Sequence, residues 1–194
     1  MAAIILGSAL IARPKVSDRT RFYPDFLQFF RQFEDLDNLA SHCLAKEIPV
    51  FGCRMENGKL LSLCASNQAS APALSYRFGL PGTVEFQYPK DPIDSLDHFH
   101  YKCFSELYEC ETGAGGTEVD YLSFSSGKYQ YVLYNENKGC PMKYSSGVRV
   151  YQGDSSAGNL LSDIKCLEQV GTLSTWHFSS VVGSHHFENC EYKK

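Results

Sequence analysis

The chain has 194 residues, with 18 Lys and Arg against 22 Asp and Glu, for a formal net charge of −4 at pH 7. Apolar residues at 43% and charged residues at 21% describe an ordinary globular chain and exclude global disorder. The length suits one domain, or one domain with a helical preface. A mildly acidic chain has no general electrostatic attraction for nucleic acid, and no stretch approaches the roughly 20 apolar residues of a membrane helix.

Residues 1–12 form an apolar run that ends at Arg13-Pro14-Lys15. The run has the length of a signal-peptide core, lacks the usual basic residues before it, and ends on Ala12, a small residue suited to cleavage. It reads as a signal segment or a short uncleaved anchor, with no stable membrane span in the mature chain. Apolar residues then fall at Phe22, Phe26, Phe29, Phe30, Phe33, Leu36, Leu39, Ala40 and Cys43. Those steps of three and four predict an amphipathic helix over 21–45, its Phe stripe packed against the main domain.

After Ile48-Pro49 the pattern changes to short aromatic and branched runs broken by Gly, Pro, Asn or Ser. The predicted strands are Val50–Arg54, Leu60–Ala65, Leu74–Phe78, Thr83–Tyr88, Phe99–Phe104, Val119–Phe124, Tyr129–Tyr134, Val148–Gln152, Leu161–Cys166 and Thr172–Phe178. Their close spacing predicts an antiparallel sandwich or barrel over 48–180, followed by a tail at 181–194. Gly113-Ala114-Gly115-Gly116 reads as a flexible, exposed loop.

The eight Cys are Cys43, Cys53, Cys64, Cys103, Cys110, Cys140, Cys166 and Cys190. No CxxC pair is present, which removes the usual zinc-module and thioredoxin spacings and leaves disulfides as the leading reading. Cys53 and Cys64 are the arguable pair, because Asn57-Gly58 lies between two strand-like runs. A plain two-residue Asn57-Gly58 loop sets Cys53 opposite Ser62, whereas a loop centred one residue later sets it opposite Cys64.

Three constellations could carry chemistry. Ala40-Ser41-His42-Cys43 and Gly153-Asp154-Ser155-Ser156 resemble the histidine and nucleophile motifs of trypsin-like serine proteases, which would make His42 the base and Ser155 the nucleophile. Asp94, Asp97 and Asp120 are available carboxylates, but the helical pattern sets His42 where that family has a loop, and Ser156 stands where it has Gly. A metal site would use His98 and His100, one residue apart on a strand, with Asp94, Asp97 or His185-His186 as further ligands. The third constellation is recognition of a protein. Ser126-Gly127-Lys128-Tyr129 stands between two predicted strands and resembles the Ser-Gly-x-Tyr motif of the bacterial periplasmic lysozyme inhibitors. That resemblance implies a small exported β-barrel that inserts this loop into the lysozyme cleft, with Ser126 and Tyr129 bonded to the catalytic carboxylates and Lys128 adding charge complementarity.

A broader likeness covers residues 48 to about 170. Leu61-Ser62-Leu63-Cys64, Leu74–Gly79, Val84–Pro89 and Leu122-Ser123-Phe124 with Gly127-x-Tyr129 resemble, in order, an uncharacterised family of exported bacterial proteins. It implies export and a β-rich domain, and brings no activity. The sequence therefore reads as an exported, non-catalytic binding protein, needing no cofactor, with a lysozyme as its most concrete partner.

Overall fold

The computed structural model describes residues 41–66, 73–93, 95–111, 113–155, 158–174 and 190–193. Ten strands follow one another: β1 (Glu47–Met55), β2 (Leu60–Ser66), β3 (Leu74–Leu80), β4 (Thr83–Tyr88), β5 (His100–Cys110), β6 (Gly113–Ser126), β7 (Tyr129–Gly139), β8 (Met142–Gln152), β9 (Asn159–Gly171) and β10 (Cys190–Lys193). They form one sheet in the order β10-β5-β6-β7-β8-β9-β1-β2-β3-β4. Every pairing is antiparallel except β10 on β5. The sheet curls into a half-barrel. Nine predicted runs coincide with β1 to β9 to within a residue at their ends or lie inside them, because alternation and Gly/Asn/Pro breaks report strands directly.

Curling brings distant strands face to face. The core joins Val50, Phe51, Leu61, Leu63 and Leu74 of β1–β3 with Leu122, Leu133 and Val148 of β6–β8. Aromatic rings fill the space between β3–β4 and β6–β7. Phe124 of β6 stacks on Tyr88 of β4 at 4.3 Å between centroids and on Tyr131 of β7 at 5.0 Å. Phe86 of β4 stacks on Tyr131 at 5.0 Å, and Tyr76 and Phe99 meet Phe124 with tilted rings.

Four expectations are corrected. First, Ser41–Leu44 carries no helix, and the rest of the predicted helix and the 1–12 run lie outside the described residues. The segment is instead drawn across the sheet by tertiary bonds that override its helical periodicity. The His42 amide donates to Ser62 Oγ at 3.0 Å, and its ring Nε2 lies 3.3 Å from the Gly79 carbonyl. Buried Arg77 grips Glu47 with two bonds of 2.6 and 2.8 Å and also donates to the His42 carbonyl.

Second, Cys53 and Cys64 are both oxidised but not to each other. Cys43 pairs with Cys64 and Cys53 with Cys166. The turn at Asn57-Gly58 sets Cys53 opposite Leu61 and Pro49 opposite Cys64, so neither register weighed for the pair occurs. The remaining bridges are Cys103–Cys190 and Cys110–Cys140.

Third, Gly113–Gly116 lies within β6 and pairs with Leu107–Cys110. A Cβ on Gly115 would overlap the sulfurs of Cys110 and Cys140. Glycine serves there to give the bridge room, not to loosen a loop. Fourth, the tail contributes β10, which Cys190 ties to Cys103 of its neighbour strand, while Thr172–Ser174, the described part of the last predicted strand, is not a strand.

Mapping of cystine-linked peptides from the unreduced protein is expected to return Cys43–Cys64, Cys53–Cys166, Cys103–Cys190 and Cys110–Cys140. A peptide joining Cys53 to Cys64 would contradict the strand register.

Candidate functional site

β6 and β7 stay in register from Gly116 opposite Gly139 to Ser126 opposite Tyr129, so Gly127 and Lys128 alone make the connection. Gly127 has φ +61°, the left-handed conformation that two-residue hairpin turns require of their first central residue. Gly127 and Lys128 are exposed, while Ser126 and Tyr129 are half-buried. The Lys128 ammonium lies 5.4 Å from the Tyr129 ring centroid, a cation–π contact. Ser126 and Tyr129 fall on the same sheet face as Phe124 and Tyr131, two residues back along each strand. The turn thus stands on a stacked aromatic base.

A second connection lies against it. After β8 the chain turns at Gly153, whose N–H donates to the Lys128 carbonyl at 3.0 Å. The Ser155 N–H donates to Oε1 of Gln130, the residue that follows Tyr129. Sequence reading offered Ser155 as a nucleophile and did not connect it with the hairpin. Only the register of β7 with β8, which sets Tyr129 opposite Gln152, brings the two turns together.

The other predicted site residues are placed as follows. His42 belongs to the strap described above, its ring nitrogen turned to the Gly79 carbonyl on β3, whereas Ser155 is held by β7. A serine–histidine pair needs a direct bond between ring nitrogen and hydroxyl. Ser156 lies outside the described residues. His98 ends a short 3-10 turn, Ser95–His98, and His100 opens β5, both exposed on either side of buried Phe99. Asp94 and His185-His186 lie outside the described residues, and Asp97 shares the 3-10 turn. Among the described residues the one grouping with ligand-like spacing is Cys43, Glu47 and Cys64. Its thiols are joined in a disulfide and its carboxylate is occupied by Arg77, so it acts as a clasp.

Two further polar clusters were not legible from motifs. On the outer face Arg149 makes bonds of 2.8 and 3.1 Å to Glu136 and 3.3 Å to Asp163, and its guanidinium stacks 3.9 Å over the Tyr134 ring. Tyr121 donates to Glu136 and Tyr134 to Asp163. Burial alone would raise the Glu136 pKa, but the Arg149, Tyr121 and Lys138 donors outweigh it and hold the carboxyl at about 2. On the inner face Tyr101 donates to Asp120 at 2.5 Å. Burial pushes the Asp120 carboxyl up to about 6, against the lowering effect of that bond and with help from Glu118.

The fold and this end of the sheet define a disulfide-braced, mainly β half-barrel that presents a tight hairpin turn to solvent. No family model matches the chain, and no curated protein or solved structure is significantly similar to it. Four disulfides are of the kind that persist in an oxidising compartment outside the cytoplasm. No helix of the described residues is long and apolar enough to cross a membrane.

The two shifted carboxyls act at opposite ends of the acid range. Glu136 is depressed, so its stabilisation is complete above the ordinary carboxylate range and fades as pH falls towards about 2. Asp120 is raised, so the native state binds its proton more tightly than the unfolded chain, and stability declines as pH rises from about 4 through about 6. Asp120→Asn is expected to stabilise the protein by about 1–2 kcal/mol at pH 7.5 and to flatten that decline, read by urea denaturation at several pH values. A destabilised variant with an unchanged pH profile would contradict the assignment.

Proposed function

We propose that the protein is an exported, non-catalytic binding protein that inhibits a cell-wall hydrolase of the lysozyme type. The observation that carries this reading is the Ser126–Tyr129 hairpin: a two-residue turn with an exposed cation, flanked by two hydroxyl-bearing side chains, on a rigid base. A glycosidase cleft holds two catalytic carboxylates about 5–10 Å apart, and such a cleft attracts a cation and accepts hydroxyl donors. In this reading the turn enters the cleft, the Ser126 and Tyr129 hydroxyls donate to the carboxylates, and Lys128 supplies charge complementarity and steers approach. Occupation of the cleft keeps the glycan out, and no covalent step is needed.

The disulfides support the periplasm or the extracellular space as the setting, where such enzymes act. The neighbouring turns support preorganisation. An inserted loop that is already ordered loses little conformational entropy on binding. The His42 ring nitrogen faces the Gly79 carbonyl of β3 while Ser155 is held beside Gln130 of β7, and that separate placement weighs against the hydrolase reading.

The protein is expected to slow at least one of a c-type, a goose-type and an invertebrate-type lysozyme at micromolar concentration in a cell-wall clearing assay. Lys128→Ala then slows association and weakens its salt dependence, and Tyr129→Phe raises the inhibition constant about tenfold, the loss of one hydrogen bond to a charged group. Absence of any slowing across the panel sinks this version of the function.

A further inference from the structure

The four disulfides differ in how solvent meets them. Cys64, Cys53 and Cys103 are buried, at 1%, 0% and 8% exposure, so three bridges each keep one partner inside the protein. In the fourth, Cys110 is half-buried and Cys140 is exposed, as is the Pro141 that follows it. Position in the fold accounts for the difference. Cys110 ends β5 opposite Gly113, and the β6–β7 register ends at Gly116 opposite Gly139, so Cys140 lies one residue past β7. The bridge therefore joins the end of β5 to the β7–β8 turn and passes over Gly115 of β6. Gly115 lies on the outer face with Val119 and Tyr121, at two-residue steps along β6, and so the bridge sits away from the core rings.

Packing at this corner of the sheet is thin. Leu107–Cys110 pairs with Gly113–Gly116, where three of the four residues are glycines with no side chain to set against a neighbour. Glycine inside a strand weakens it, because more backbone freedom is lost and less surface is buried. Leu107 reaches over Gly116 beside Met142 and is still 64% exposed. The Tyr108 hydroxyl donates to the Gly116 carbonyl at 3.2 Å. The bridge stands in for a core here, whereas Cys53 lies within the hydrophobic core and Cys166 packs against it.

We propose that Cys110–Cys140 is a thiol–disulfide exchange site, opened by a dithiol reductant while the other three bridges stay closed. Exchange needs access to the attacked sulfur, and exposed bridges are the labile ones. The thiolate of the dithiol attacks Sγ of Cys140, the Cys110–Cys140 bond breaks, and Cys110 leaves as a thiolate that takes up a proton. The second thiol of the reductant then displaces Cys140 from the mixed disulfide. The dithiol ends as its own disulfide, two electrons poorer, and its two protons end on Cys110 and Cys140. Opening frees the end of β5 and the glycine-rich start of β6 from the β7–β8 turn. The site lies at the opposite end of β6 and β7 from the Ser126–Tyr129 turn and is independent of what that turn binds.

Dithiothreitol is the probe. The oxidised full chain is treated with it under native conditions, trapped at intervals with N-ethylmaleimide, and mapped by mass spectrometry. Labels on Cys110 and Cys140 are expected to appear at least tenfold faster than on the other six cysteines. Earlier labelling of another pair, or labelling of all eight together, would overturn the proposal. Hydrogen exchange on the selectively reduced protein reads the consequence. Amides of Leu107–Cys110 and Gly113–Gly116 are expected to exchange at least fivefold faster, with β1–β3 unchanged. The double variant Cys110→Ser, Cys140→Ser is expected to show the same exchange pattern without reductant. Unchanged exchange at this corner after selective reduction would contradict the opening, and faster exchange across the whole sheet would show a structural bridge instead of an exchange site.

Discussion

Ring packing between β3–β4 and β6–β7 across the curled sheet is the constraint on which the structure depends. A ten-stranded sheet in the order seen here has β4 and β10 at its edges, and among the described residues no strand pairing closes the curl. Phe124 closes it instead, meeting Tyr76, Phe86 and Tyr88 from β3 and β4 while stacking on Tyr131 beside it. Each aromatic pair contributes about 0.5–1.5 kcal/mol beyond the area it buries, and several share one ring. Because Phe124 and Tyr131 lie two residues behind Ser126 and Tyr129, the contact that closes the sheet also stiffens the root of the turn.

The disulfides and buried charges brace the parts that the rings do not reach. Cys53–Cys166 joins β1 to β9 at the junction of the two halves, across a sequence separation of 113 residues. Cys103–Cys190 holds a four-residue parallel strand that would be marginal by itself. The segment before β1 is held by Cys43–Cys64 and by buried Arg77, which donates to the His42 carbonyl and is doubly bonded to the largely buried Glu47 at the start of β1. A buried pair of this kind adds little net stability over an apolar substitute but costs several kcal/mol when one partner is removed. Its effect is to choose where the chain enters the sheet.

Much of the fold could be read from the sequence, and the reasons for the failures are physical. Strands β1 to β9 announced themselves because alternation and turn residues are local signals. The Gly113–Gly116 error arose because a glycine kept for space around a disulfide has the same letter as a glycine kept for flexibility. The helical spacing of Leu39, Ala40 and Cys43 could not reveal that Cys43 would bridge to β2, since that bond joins residues 21 positions apart. The partner of Cys53 could not be read because the position of one turn shifts every partner on a strand. The hairpin itself was legible, since Ser-Gly-Lys-Tyr between two runs marks a two-residue turn. The bond between Gln130 and the β8–β9 connection and the Arg149 cluster were not, since these residues carry no motif and their relation exists only in the strand register.

The central claim is that β3–β4 and β6–β7 of one curled sheet meet through stacked rings and so hold the Ser126–Tyr129 turn in place. Nuclear Overhauser contacts between aromatic ring protons in solution test it most directly. Cross-peaks joining Tyr88 to Phe124 and Phe86 to Tyr131 are predicted, at intensities matching centroid separations of 4.3 and 5.0 Å. Intact cross-strand contacts within β1–β4 and within β5–β9, without those ring contacts, would show an open sheet and contradict the account.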